Sequence, residues 1–274
     1  MRPRAAGLAV VAAVLLLVAS IIQVTGPHTK VDELTLDLIT ANKRYPVDVI
    51  ASVINGLGSL ALAITLVFLF DSARARNPQY QPYLRIVAIV GGSVAAVAGV
   101  AYQALVAAKS HDFVTTGNQT YQEAHHLTNS SGILALQLIG QAAALLLALS
   151  FVLVSLNAMR VGLLTRFMGY LGIFAGVLVL FQITQVPVVQ AYWLFALAYL
   201  LLGRWPTGVP PAWSSGRAEP WPSGQQIRQQ RGRAAGRGAG RGSKPAPAPA
   251  PEPVGAQASR TRSTTPKRKR KRRR

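Results

Sequence analysis

Six long apolar stretches lie between residues 5 and 202, and none carries an Asp, Glu, Lys, Arg or His near its middle. A helix of about 20 apolar residues crosses the hydrocarbon core of a bilayer and satisfies its own backbone N–H and C=O groups on the way. A chain with this pattern reads as an all-α, polytopic bundle of transmembrane helices with about six spans. The same absence restricts chemistry. Intramembrane catalysis, proton relay and ion coupling usually place an ionisable group at depth, and no such group stands there.

The expected spans are 5–24, 47–70, 86–108, 132–156, 167–183 and 186–202. The first follows Arg2 and Arg4, as a signal peptide would. Its apolar run is longer than a signal core, however, and no Ala-x-Ala follows it, so an uncleaved anchor is expected. The last two spans sit near the lower limit of about 17 residues and read as a tight hairpin. Pro187 stands at the start of the sixth, where a missing N–H costs little. Val31, Leu34, Leu38 and Ala41 recur with the period of a one-faced helix. Asp32 and Glu33 near its start and Lys43 and Arg44 near its end suit the helix dipole. A short surface helix closed by Pro46 is expected there, capping the bundle rather than gating a substrate.

Charge divides the chain in two. Of the net +20, residues 204–274 hold 18 basic and two acidic side chains, a net of +16, and residues 1–203 hold 11 and seven, a net of +4. The domains are accordingly a transmembrane body, 1–203, and a disordered basic tail, 204–274. The tail carries an Arg-Gly tract at 231–242, a Pro-Ala run at 244–253 expected to extend as polyproline II, and a final run of Lys267, Arg268, Lys269, Arg270, Lys271, Arg272, Arg273 and Arg274. Such a run is drawn to phosphate: anionic lipid headgroups, at about 1 kcal/mol per basic side chain near the surface, or RNA and ribosomes. Arg2, Arg4, Arg74, Arg76, Arg85, Arg160, Arg166 and the tail all fall on one side of the alternating spans, while Lys30, Lys43, Arg44 and Lys109 are balanced by acids on the other. Positive loops stay inside, so both termini of a cell-membrane protein with this pattern face the cytoplasm.

Within the spans the polar residues are amides and hydroxyls. Asn157 is one of these amides, and Asn55, Gln103, Gln137, Gln141 and Gln182 are expected to face the bundle interior, Gln137 and Gln141 one helical turn apart on one face. Interhelical hydrogen bonds of about 0.6 kcal/mol are their ordinary use, and a path for a polar solute is the alternative. Gly172 and Gly176, and the smooth face of Gly91, Gly92, Ala95, Ala96 and Gly99, read as internal helix-packing surfaces. His111, Glu123, His125 and His126 fall in one outer loop, but their spacing fits no metal pattern, and a solvated loop is expected. There is no cysteine to form a disulfide, a thiolate metal site or a nucleophile. His-Glu-x-x-His, Gly-x-Ser-x-Gly, the P-loop and the dinucleotide fingerprint are all missing. No enzyme activity, metal or cofactor is expected.

The block from Phe151 to Leu180, with NAMRVGLLTRFMGYLGIFAGVL between two spans, resembles the late segment of a family of bacterial multi-spanning membrane proteins known only as a domain of unknown function. The layout of the earlier spans is similar too, which extends the likeness to about residues 5–202. The resemblance implies a helical membrane body and lends no functional residue. The expected function is a non-enzymatic scaffold or accessory in the lipid bilayer, with a cytoplasmic basic tail bound to anionic lipid or another polyanion. The alternative is a transporter or permease for a neutral or weakly polar solute, although no internal repeat relates the two halves.

Overall fold

The computed structural model describes residues 2–26, 33–181, 186–206, 208–219, 221 and 228–229, and every regular element among them is helical. In chain order these are α1 (Arg2–Thr25), α2 (Leu34–Lys43), α3 (Val47–Arg74), α4 (Tyr83–Thr115), α5 (Tyr121–Thr128), α6 (Ser131–Arg160), α7 (Arg166–Phe181), α8 (Val188–Leu201) and α9 (Pro211–Ser215). Four of them, α1, α3, α4 and α6, are long and apolar enough to cross a membrane. They contain the first four expected spans. The fifth and sixth correspond to α7 and α8, of 16 and 14 residues. At about 1.5 Å per residue these measure roughly 24 and 21 Å.

Packing closes a ring. α1 lies against α3 and α8, α3 against α4, α4 against α6, α6 against α7 and α7 against α8, with α3 also touching α6. Small residues set how closely the helices approach. A Cβ on Gly91 would lie 2.8 Å from the backbone N of Leu147, so α4 meets the α6 main chain there. On α7, a Cβ on Gly176 would lie 2.7 Å from Val152 and one on Gly172 2.7 Å from Trp193 Nε1 and 2.8 Å from Ser155 Cβ. The glycines read as packing surfaces are therefore spent inside the bundle, except Gly99, which has open space beside it.

α8 is the most enclosed helix. Trp193, Leu194 and Leu197 are fully buried, and Tyr192, Phe195 and Tyr199 form its outward stripe. Trp193 tilts against Phe151 of α6, centroids 4.7 Å apart, and donates its indole N–H to the Met168 carbonyl of α7 at 2.9 Å. One side chain thus ties three helices together.

Two helices end in the same way. After α6, Gly162 takes φ 80°, its N–H reaching the Met159 carbonyl while Leu163 N–H reaches Ala158. After α8, Gly203 takes φ 74°, with Gly203 N–H on Leu200 and Arg204 N–H on Tyr199. Both are Schellman closures, where glycine accepts the left-handed conformation without a Cβ penalty.

α2 and α5 cover the last turns of α4, burying Leu38, Phe113 and Ala124 together. The expected surface helix is present, with Leu38 on its buried face. Thr120 caps α5 by accepting from Glu123 N–H. Arg44 closes the same end, donating to the Ile22 and Gln23 carbonyls at the finish of α1 and pairing with Asp48 at 2.7 Å.

The body does not stop at Gly203. The chain divides into units Met1–Pro222 and Ser223–Arg274, and of the second only residues 228 and 229 are described. The extension is held by burial: Ala212 and Trp213 pack into the main core. An aromatic side chain in a Pro-rich stretch outweighs the low apolar content around it. The Pro-Ala run and the basic run 267–274 lie outside the described residues.

Candidate functional site

Trp213 organises one end of the bundle. Its ring stacks on Phe68 of α3, with centroids 6.3 Å apart and planes 12° from parallel. Its indole N–H donates to the Leu163 carbonyl at 3.0 Å, in the turn between α6 and α7. Two guanidinium groups approach the same ring, Arg2 at 4.6 Å and Arg76 at 5.0 Å from its centroid. Arg2 donates to the Trp213 carbonyl; Arg76 donates to the Ala212 carbonyl at 2.7 Å and the Ser72 carbonyl at 2.6 Å. The start of α1, the end of α3, the α6–α7 turn and α9 therefore meet at one place.

That end is strongly positive. Segments 2–4, 74–85, 160–166 and 204–217 bring nine arginines, against Asp71 and Glu219, a net of +7 among the described residues. Asp71 stands 3.9 Å from Arg85, both well exposed. The described residues of the opposite end hold Lys43, Arg44 and Lys109 against Glu33, Asp37, Asp48, Asp112 and Glu123, a net of −2. Burial first, and the neighbouring Arg2 charge second, hold the Arg76 guanidinium below its usual pKa. A part-buried cation beside another cation is a costly arrangement without an anion.

Asn55, Gln137 and Gln141 are exposed and Gln103 is half-buried. The buried stripe of α6 runs through Ala143, Leu147, Phe151 and Val154, which leaves Gln137 and Gln141 on its edge, facing Ala95, Gly99 and Tyr102 of α4 across a groove of about 210 Å³. A 3.6-residue period shows that two residues share a face, not which face is inward. Gln182 lies outside the described residues. Asn157 is buried, as is Gln190, an amide that sequence reasoning passed over. Gln190 donates from Nε2 to the Ala175 carbonyl at 3.1 Å, while its Oε1 and the Ser155 hydroxyl are buried without a hydrogen-bond partner among the described residues. Its place three residues before Trp193, on the same face of α8, was the available signal.

His111 lines a separate cavity of about 480 Å³ with Asn42, Tyr45, Val49 and three alanines of α4, open at the end opposite Trp213. His125 and His126 stand exposed on α5. Among the described residues no three His, Asp or Glu side chains converge as metal ligands would.

No protein-family model, curated protein or solved structure matches this chain.

Proposed function

We propose that this protein is an integral membrane protein of the cell membrane with six spans, whose non-enzymatic helical body serves as a scaffold or accessory and whose basic tail holds anionic lipid headgroups on the cytoplasmic side. The observation that supports it best is the charge contrast between the two ends of the bundle, +7 against −2 among the described residues. Arginine-rich loops remain in the cytoplasm, so Arg2 and Arg274 both face inward. The outward surface fits this environment: Val97 and Leu138 are each 71% exposed, and the exposed aromatics of α7 and α8 join them. Hydrocarbon solvates such a surface at no cost.

α7 and α8 complete the count of six. α8 returns the chain to the Trp213 end, so α7 must carry it away from that end first, and short spans are accommodated by local thinning of the bilayer at a fraction of a kcal/mol per Å. The likeness to a bacterial multi-spanning family belongs to the same proposal. A permease has less support, because Gln137 and Gln141, two of the amides that would line its path, stand exposed on α6.

The test is capture of vesicles by the full chain reconstituted in phosphatidylcholine nanodiscs, where the helical body is already embedded and the tail is free to bind. Binding to phosphatidylglycerol vesicles should exceed binding to phosphatidylcholine vesicles, weaken as salt rises, and fall when residues 267–274 are all changed to Gln. Binding that follows added RNA instead of lipid would replace the headgroup assignment, and binding indifferent to the tail would overturn it.

A further inference from the structure

We propose that Arg2, Arg76 and Trp213 form a discrete site for the phosphate of one anionic lipid headgroup, separate from the basic tail. The site rests on the membrane placement proposed above and adds a defined ligand to the bundle itself.

Four observations converge. The two guanidinium carbons lie 4.6 and 5.0 Å from one ring centroid, so both cations are gathered at a single indole and a phosphate drawn to one is attracted by the other as well. Neither arginine has a carboxylate within ion-pair distance among the described residues. Their hydrogen bonds to the Trp213, Ala212 and Ser72 carbonyls fix their direction while using one N–H of Arg2 and two of Arg76, out of five on each. The ring beneath them stacks on Phe68, one and a half turns before the end of α3, at the level where an apolar helix gives way to charge. Aromatic rings concentrate at that boundary because one edge is apolar and the other wet. A free phosphate could meet the arginines but would gain nothing from the apolar floor. A lipid places its phosphate on the arginines and its glycerol and chains along Phe68.

The cluster is also short of an anion. Two like charges are held together by backbone carbonyls, and a phosphate between them converts their mutual repulsion into attraction for a shared partner. A general basic surface would not require this, since exposed arginines such as Arg4 and Arg74 separate freely.

The experiment uses native mass spectrometry and thermal unfolding of the detergent-solubilised full chain, with phosphatidylglycerol, phosphatidylcholine and inorganic phosphate as probes. Salt of about 0.5 M suppresses the exposed tail, whose interactions are screened over a few Å. Wild type should keep one phosphatidylglycerol per chain, at least about tenfold tighter than phosphatidylcholine, and unfold at a higher temperature with it. The R2Q/R76Q variant should lose both effects. R4Q/R74Q, with the same loss of charge, and the chain with Gln at 267–274 should keep them. If R2Q/R76Q does not fold, R2Q alone is read, and it should weaken retention severalfold. Equal retention by R2Q/R76Q, equal loss in R4Q/R74Q, or protection by inorganic phosphate matching that by the lipid would each overturn the site. Failure of the membrane placement is distinguishable, because the chain would then be recovered without detergent.

Discussion

Replacing Trp193 with Ala should destabilise the bundle by about 3 kcal/mol, and the size follows from where the side chain sits. Trp193 is fully buried among α6, α7 and α8, in ring contact with Phe151. On the proposed placement of α8 in lipid the usual transfer gain from water is missing, because a helix separated from its partners still meets hydrocarbon. What remains is the packing loss: on the order of 140 Å³ vacated, at about 24 cal/mol per Å³ of unfilled cavity. Trp193→Phe keeps most of the ring contact with Phe151 and loses the N–H bond to the Met168 carbonyl, so it should cost about 1 kcal/mol. Reversible unfolding in mixed micelles, followed by far-ultraviolet circular dichroism as the SDS fraction rises, measures both. An Ala variant within about 1 kcal/mol of wild type would mean that α8 does not hold α6 and α7 together as described.

Gly91→Ala should destabilise by about 1 to 3 kcal/mol, since its Cβ meets the α6 backbone, which cannot rotate away. Gly99→Ala, with nothing within 4 Å, should be neutral or gain up to about 1 kcal/mol from helix propensity in the same titration. Arg44→Ala removes two bonds to the last carbonyls of α1 and the partner of Asp48, so a loss of about 1 to 3 kcal/mol is expected in thermal unfolding.

The long helices were legible because hydrophobicity over more than 20 residues outweighs every competing signal. The expected spans 47–70 and 132–156 fall inside α3 and α6. Gly172 and Gly176 were legible as packing residues for a related reason: a helix can bring its main chain close only where side chains are small. Direction was not legible. Gln137 and Gln141 share a face, but their neighbours along α6 are apolar on every side, so nothing marked which face meets α4 and which meets the surroundings. Trp213 was hidden by its setting. Pro210 and Pro211 and the small polar residues after it read as a solvated linker, and only tertiary contact with Phe68, Arg2 and Arg76 reveals an anchored end. Arg2 and Arg76 lie far apart along the chain, and no spacing rule could have joined them.

The placement of the two ends across a bilayer is the claim on which the rest depends, and the cysteine-free chain makes it directly measurable. Single cysteines at Ser214, beside Trp213, and at Thr116, after α4, both fall on exposed positions. In intact cells a membrane-impermeant maleimide should label Thr116→Cys and leave Ser214→Cys unlabelled until the cells are permeabilised. Labelling of Ser214→Cys with protection of Thr116→Cys would invert the orientation, and equal labelling of both in intact cells would contradict a bundle that crosses the membrane.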